Sequence, residues 1–142
     1  MTVHQLSVFI ENKSGTLVQV LKSFKEAGIQ LIALTIADTA EYGICRILCN
    51  NPSMAYDLLK KNGIAVSTCD VFALKLEDEP GAAADAIELF ANEGINIVYM
   101  YSLLLGGKCI LIFRTDDAQK AKEVIDANHL NIIQETELSQ LH

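Results

Sequence analysis

The stretch LSVFIENKSG at Leu6–Gly15 returns 66 residues later as FALKLEDEPG at Phe72–Gly81, and this repetition decides the fold. In both copies an apolar, strand-like run leads into a polar loop that ends in glycine. The same shift pairs Gly28 with Gly94. Self-similarity at a fixed spacing indicates that the chain contains two copies of one structural unit.

Each copy alternates between helical and strand patterns, most clearly in the first half of the chain. Apolar residues recur every three or four positions over 17–27, which predicts an amphipathic helix ended by Gly28. The β-branched and aliphatic residues within 29–49 predict a β-hairpin. A second helix is expected to begin at Ser53 as its cap, and a short strand over 64–68 closes the copy.

The hairpin is where we expect the two copies to differ in length. There the repeat shift is predicted to fall from 66 to 64, which pairs Gly43 with Gly107 and Cys45 with Cys109. Two adjacent glycines, Gly106 and Gly107, are typical of a tight hairpin turn in the second copy. In the last helix the shift is expected to return to 66.

The order β-α-β-β-α-β, read twice, predicts an α+β protein made of two tandem ferredoxin-like domains, residues 1–68 and 69–142. Each domain is expected to have an antiparallel sheet with its two helices on one face. A domain of about 70 residues has a small core, so we expect the two to bury surface against each other. Because almost no linker separates them, a rigid, side-by-side pair is the expected arrangement.

Charge and hydropathy limit the partners and the location of the chain. The net charge is −7, and the acidity lies in the second half, where residues 69–142 carry thirteen Asp or Glu against five Lys or Arg. Nucleic acid is therefore excluded, because its phosphates are held chiefly by Lys and Arg. The sequence has no apolar run of about 18 residues and no signal-peptide pattern at its start, so we expect a cytoplasmic protein without membrane contact, its four cysteines reduced.

The polar loop before the first helix of each copy is the best candidate for ligand binding. A helix N-terminus has unpaired N–H groups and a partial positive charge that suit a carboxylate. Gly15 or Gly81 lets a ligand approach the backbone, and Asn12 or Asp78 is placed to accept its ammonium group. The alternative is that these are ordinary turn and cap residues, which repeats duplicate as readily as sites.

These loops, followed by a helix and by Gly94-Ile95-Asn96-Ile97 or Gly28-Ile29-Gln30-Leu31, resemble the ACT domain, a small-ligand sensor of amino-acid biosynthetic enzymes. The resemblance covers nearly the whole chain. It implies that paired domains place their sheets edge to edge. It also implies that a ligand lies between the loop of one domain and the second strand of its neighbour.

The resemblance carries over to two sets of ligand-binding residues. In the second copy they are Asp78, Glu79, Gly81, Asn96 and Ile97; in the first they are Asn12, Ser14, Gly15 and Leu31. The first copy departs from the pattern at two positions, Ser14 for Pro80 and Gln30 for Asn96, which leaves open whether both copies bind. Residues 77–79 sum to a charge of about −3, so we expect the second site to favour a ligand with a cationic end.

Other chemistry is weakly supported. His4, His129 and His142 are dispersed, so neither a metal site nor a Cys–His nucleophile is expected, and no cofactor is implied. Tyr99 and Tyr101 alternate on a strand, where packing at an interface is favoured over stacking on RNA. Phosphatase chemistry on this fold requires an arginine in the loop before the helix, and neither loop has one.

The sequence thus predicts a regulatory protein that binds an amino acid or similar metabolite and has no catalysis of its own. Occupancy would be relayed by a change in how domains or subunits pack, with a homodimer expected. A regulatory subunit of an amino-acid biosynthetic enzyme, such as acetolactate synthase, is the alternative. A small enzyme on the ferredoxin-like scaffold is the third hypothesis.

Overall fold

The computed structural model describes residues 1–11, 15–38 and 42–140, with the backbone alone for Asp38 and Tyr42. The strands and helices follow the predicted order, β-α-β-β-α-β, in the first half. They are β1 (Val3–Glu11), α1 (Thr16–Ala27), β2 (Leu31–Asp38), β3 (Tyr42–Cys49), α2 (Pro52–Lys61) and β4 (Val66–Glu77). The second half continues with α3 (Ala82–Asn92), β5 (Ile97–Leu105), β6 (Lys108–Thr115), α4 (Ala118–Ala127) and α5 (Glu135–Ser139).

The chain forms two compact units whose boundary falls within β4, between Cys69 and Asp70. We call His4–Cys69, with the chain from Thr136 onward, the N-terminal unit. The C-terminal unit consists of Met1–Val3 and Asp70–Glu135.

In the N-terminal unit the strand order is β2-β3-β1-β4, with β3 antiparallel to both β1 and β2. Alternate residues of β1 point to one face, where they meet the apolar stripes of both helices. The resulting core is formed by Leu6, Val8, Ile10, Val20, Phe24, Cys45, Ile47, Ala55 and Leu59, among others. Both helices therefore pack on one face of an antiparallel sheet, which confirms the predicted fold class.

The C-terminal unit repeats this plan with the order β4-β6-β5. Its core centres on Phe90 of α3, whose ring meets Phe113 of β6 edge to face with the centroids 5.3 Å apart. This geometry adds about 1 kcal/mol to what burial alone contributes. The predicted last strand is reduced to a short bridge, in which Lys75 donates its N–H to the carbonyl of Asn131 at 2.8 Å. The five-residue helix α5 that follows was not predicted.

The register of the strands corrects the predicted shortening of the hairpin. Glu11 pairs with Tyr42 on β3, and Glu77 pairs with Lys108 on β6, so the shift between the copies stays at 66. The counterpart of Gly43 is therefore Cys109, and the pairing of Gly43 with Gly107 was wrong. The pairing of Cys45 with Cys109 fails for the same reason.

Limited space beside Gly43 explains why the first copy has glycine where the second copy has Cys109. A Cβ on Gly43 would lie 3.1 Å from Cγ1 of Ile10, so glycine fits here without displacing a core residue. Gly106 and Gly107 both have positive φ and join β5 to β6, which confirms the predicted tight turn.

The cap of α2 also differs from the expectation. The side chain of Asn51, not of Ser53, accepts the N–H of Met54 at 3.1 Å. Pro52 follows at the first helical position, where a missing N–H costs nothing. Gly28 ends α1 in a left-handed conformation, as predicted.

Candidate functional site

The two predicted ligand loops end at equivalent helix starts. Gly15 precedes α1 with φ 98°, and Gly81 precedes α3 with φ 86°, both in the left-handed region that glycine adopts readily. Because the residue at each N-cap position is glycine, neither helix has a side-chain cap from that position. In α3 the first N–H, that of Ala82, donates instead to the backbone carbonyl of Glu79 at 3.3 Å.

The other long helices behave differently. Asn51 caps α2, and Asp117 caps α4 by accepting the N–H of Lys120 at 3.0 Å. In the loop before α3, Asp78 and Glu79 are exposed, and neither side chain serves as a cap. The second loop is a turn closed by backbone hydrogen bonds, in which the N–H of Glu79 donates to the carbonyl of Glu77 at 3.0 Å, so its two carboxylates do not act as side-chain caps. Asn12 and Ser14 of the first loop lie outside the described residues.

A groove of about 440 Å³ borders the first loop in the N-terminal unit. It lies beside the end of β1, where the N–H of Phe9 donates to the carbonyl of Ala65 at 2.9 Å. Its lining comprises Phe9, Ile10, Glu11, Thr16, Gln19, Asn62, Gly63, Ile64 and Ala65. The volume is within the range of sites that hold small metabolites, roughly 300–1,000 Å³.

The segment from α2 to β4, residues 62–65, was missed as part of the site. It forms one side of the groove because β4 lies next to β1 in the sheet. Gly63, with φ 76°, turns the chain out of α2 at this point. In the sequence, the only indication of this left-handed conformation is that a glycine follows a helical pattern.

The charge of the second loop is partly offset in the structure. Lys108 Nζ lies 2.6 Å from Glu77 Oε1, across the strand pair β4–β6. Both side chains are largely exposed, so the pair contributes little to stability. Because Lys108 neutralises Glu77, the acidity of the loop rests on Asp78 and Glu79, and the local charge is closer to −2 than to −3.

The remaining predicted residues lie at the opposite end of each sheet. Ile97 pairs with Thr115, whereas the Gly81 loop follows Glu77, which pairs with Lys108. Lys108 and Thr115 are the two ends of β6, so the two parts of the set are separated by about 24 Å along the strand. Within one unit, therefore, the loop residues and the strand residues do not meet.

Leu31 is placed in the same way in the N-terminal unit, where it pairs with Cys49 at the far end of β3 from Gly43. A site that combines a loop with a second strand thus does not form within one unit.

An equivalent side-chain hydrogen bond fixes the start of the second strand in both units. The N–H of Gln30 donates to Asn50 Oδ1 at 2.9 Å, and the N–H of Asn96 donates to Asp116 Oδ1 at 3.0 Å. Each partner also donates its own N–H back, to the carbonyl of Gln30 or of Asn96. The predicted residue Asn96 is exposed and is held by this pair of hydrogen bonds. Ile97, directly after it, is half-buried.

Three further observations bear on alternative chemistry. No cluster of His, Cys, Asp and Glu able to hold a metal ion occurs within residues 1–11, 15–38 and 42–140. None of the four cysteines forms a disulfide, and burial raises the pKa of Cys45 to about 11. Over the same described ranges, no helix is long and apolar enough to cross a membrane.

Comparison with known proteins identifies the family. A family model for an ACT domain pair matches residues 1–142. The chain belongs to the ACT domain pair family. A search of curated proteins finds no match. Among solved structures, the ACT domain pair is similar to protein BT0572 from Bacteroides thetaiotaomicron, at 35% identity over 99% of this chain and 98% of that one, with a TM-score of 0.94.

More distant structures share the fold. The ligand-free regulatory subunit of aspartate kinase from Thermus thermophilus has 15% identity, covers 89% of this chain and 90% of its own, and gives a TM-score of 0.64. The regulatory subunit of aspartate kinase from Thermus flavus has 16% identity, with 91% of this chain and 92% of that one covered and a TM-score of 0.60. At these identities the likeness concerns the fold of the ACT domain pair alone.

Proposed function

We propose that this ACT domain pair is a regulatory protein that binds an amino acid or similar small metabolite and catalyses no reaction itself. The observation that carries the proposal is the groove beside the Gly15 loop, next to a helix whose N-cap residue is glycine and offers no capping side chain. A carboxylate suits such a helix N-terminus, because the N–H groups and the helix dipole favour negative charge. The domains are proposed to span residues 1–68 and 69–142.

The proposed ligand-binding residues are those that the resemblance gives, in the loops and at the starts of β2 and β5. Within one unit the loop residues and the strand residues lie at opposite ends of the sheet. We therefore propose that a neighbouring copy completes the site. Antiparallel pairing of two identical edge strands places the start of one strand beside the end of the other. Pairing of β5 with β5 of a second copy would bring Asn96 and Ile97 of one chain toward the Gly81 end of its partner.

The composition of β5 supports a homodimer of this kind. It is the edge strand of the C-terminal unit, nine residues long, without charge or proline. Val98, Met100 and Leu104 on it are 44%, 45% and 66% exposed. Long apolar edges are normally paired or blocked by charge in native proteins. Met100→Lys should therefore shift the protein from dimer to monomer in sedimentation analysis, and an unchanged dimer would exclude this edge as the interface.

Binding is tested most directly by a thermal-shift screen against the twenty amino acids. A ligand present at one hundred times its Kd and binding only the folded state stabilises it by about 2.7 kcal/mol, which raises the melting temperature by several degrees. A shift confined to one ligand or a related group would support the proposal. The absence of any shift at millimolar concentration would count against amino-acid binding.

The second loop is proposed to prefer a ligand with a cationic end, since Asp78 and Glu79 are exposed beside Gly81. Asp78→Ala should weaken binding of such a ligand in calorimetry, whereas Asp78→Asn tests whether the charge or the hydrogen bond matters. Equal affinity of Asp78→Ala and the parent would contradict this part of the proposal.

A second candidate is that the protein acts as the regulatory subunit of a biosynthetic enzyme, in the cytoplasm. The shared fold with the aspartate kinase regulatory subunits supports this form of the proposal; acetolactate synthase is another enzyme of the class. Purification from native lysate distinguishes the two, because a subunit brings down a stoichiometric enzyme. Turnover of a substrate by the isolated chain would instead support the third hypothesis, a small enzyme.

A further inference from the structure

The groove of the N-terminal unit and the corresponding surface of the C-terminal unit share a backbone but differ in chemistry. The N–H of Phe9 donates to the carbonyl of Ala65 at 2.9 Å, and that of Lys75 donates to the carbonyl of Asn131 at 2.8 Å. The uniform shift of 66 therefore gives every lining residue a defined counterpart. The side chains at these positions can therefore be compared one by one.

Ionisable residues are unequally divided between the two surfaces. Among the lining residues of the groove, Glu11 alone is ionisable. The corresponding positions of the C-terminal unit keep this acid and add three ionisable residues. The retained acid is Glu77. The three added residues are Lys75 in place of Phe9, Asp85 in place of Gln19 and His129 in place of Gly63.

The groove instead presents apolar groups. Ile10 is buried in the core with 9% exposure, Ile64 is half-buried, and Phe9 is 46% exposed although it is a large aromatic residue. Phe9 and Ile10 face opposite sides of β1, and both border the groove because it lies beside the end of the strand. An apolar group that covers them gains the free energy of removing that surface from water.

Resting on the proposed function, we infer that the groove of the N-terminal unit selects amino acids with an aliphatic or aromatic side chain, and that the C-terminal unit does not share this preference. An acidic side chain would meet Glu11 at the same border. The two units of one chain then respond to different ligands, although the two surfaces share the hydrogen-bond register of their strands.

The test compares leucine and phenylalanine with aspartate and lysine by calorimetry on the intact protein. We expect the apolar pair to bind at least tenfold more tightly at the groove, the difference that burial of one such side chain supplies at the low end of its range. Amide chemical shifts at Thr16, Gln19 and Asn62 should identify the groove as the place of binding. Tighter binding of aspartate or lysine there would overturn the inference.

Two variants introduce the residues of the C-terminal unit. Phe9→Lys should weaken leucine or phenylalanine binding about tenfold, and Gln19→Asp, at an exposed helix position, tests the same preference if the first variant folds poorly. Met54→Lys is the matched control, because Met54 is 45% exposed and lies outside the groove. Unchanged affinity in both groove variants would refute the inference.

The outcomes separate this inference from the proposal on which it rests. If none of the twenty amino acids binds, the proposed function fails, and with it the inference. If an amino acid binds but charged ligands occupy the groove as tightly as leucine, only the inference fails.

Discussion

Two equivalent helix ends carry different residues in the same strained conformation, which gives a paired prediction of opposite sign. Gly63 follows α2 with φ 76°, and His129, its counterpart after α4, has φ 51°. A Cβ in the left-handed region costs roughly 1–2 kcal/mol, whereas glycine costs roughly 0.5–1 kcal/mol through the flexibility of the unfolded chain. At both positions, therefore, the strain of a Cβ outweighs the flexibility of a glycine.

Gly63→Ala should therefore destabilise the protein by about 0.5–1 kcal/mol, and His129→Gly should stabilise it by a similar amount. No atom lies within 4 Å of a Cβ built on Gly63, so crowding adds nothing to this cost. The measurement is urea unfolding followed by circular dichroism, with the slope required to stay constant so that a shift in midpoint reports stability.

The double variant provides the control. The two positions lie in separate units, so their effects should add and leave the parent stability nearly unchanged. Stabilisation by Gly63→Ala, or destabilisation by His129→Gly, would refute the argument from backbone conformation. Destabilisation by His129→Gly would point instead to side-chain contacts of His129.

Other consequences of the structure can be measured in the same way. Asp116→Ala removes the acceptor for the N–H of Asn96 and should cost about 1 kcal/mol in urea unfolding, while Asp116→Asn keeps an acceptor there and should be nearly neutral. Gly43→Ala places a methyl group 3.1 Å from Ile10 and should lower stability by about 1–3 kcal/mol; a neutral result would mean that the core yields freely. Burial raises the pKa of Cys45 from 9.0 to about 11, so the folded state is favoured while the thiol is protonated. This contribution to the free energy of unfolding is fully present below pH 9 and should be lost between pH 9 and 11. The loss should be roughly 1–3 kcal/mol relative to Cys45→Ala.

Local patterns were enough to predict the fold class and most of the elements. The apolar spacing over 17–27 and the stop at Gly28 give α1 its observed limits within one residue. The cap of α2 was misassigned because Asn51 and Ser53 are both cap-type residues, two positions apart, and only backbone geometry distinguishes them. The five-residue helix α5 is too short to produce a periodic signal.

Pairings between distant parts of the chain were harder to predict. The register of β6 was misread because matching glycines and cysteines gave a better letter alignment at 64 than the hydrogen bonds of the strands allow. The groove was half predicted: its loop carries a local signal, but the 62–65 segment reaches it only through the long-range contact of β4 with β1. The separation of Gly81 from Ile97 likewise follows from strand direction, which the spacing of motifs does not report.

The unbroken shift of 66 has a practical meaning for construction of hybrid chains. Since β2 begins at Leu31 and β5 at Ile97, and β3 and β6 end at Cys49 and Thr115, the two hairpin segments contain equal numbers of residues. Either hairpin can replace the other without insertion or deletion, and the Asn50 and Asp116 bonds that hold the strand starts lie just outside the exchanged segments. The second hairpin would bring Cys109 to the position of Gly43, where a Cβ lies 3.1 Å from Ile10, so that exchange also needs Cys109→Gly. The two hairpins are thus equal in length, and exchange of one for the other becomes a direct way to ask what each one contributes.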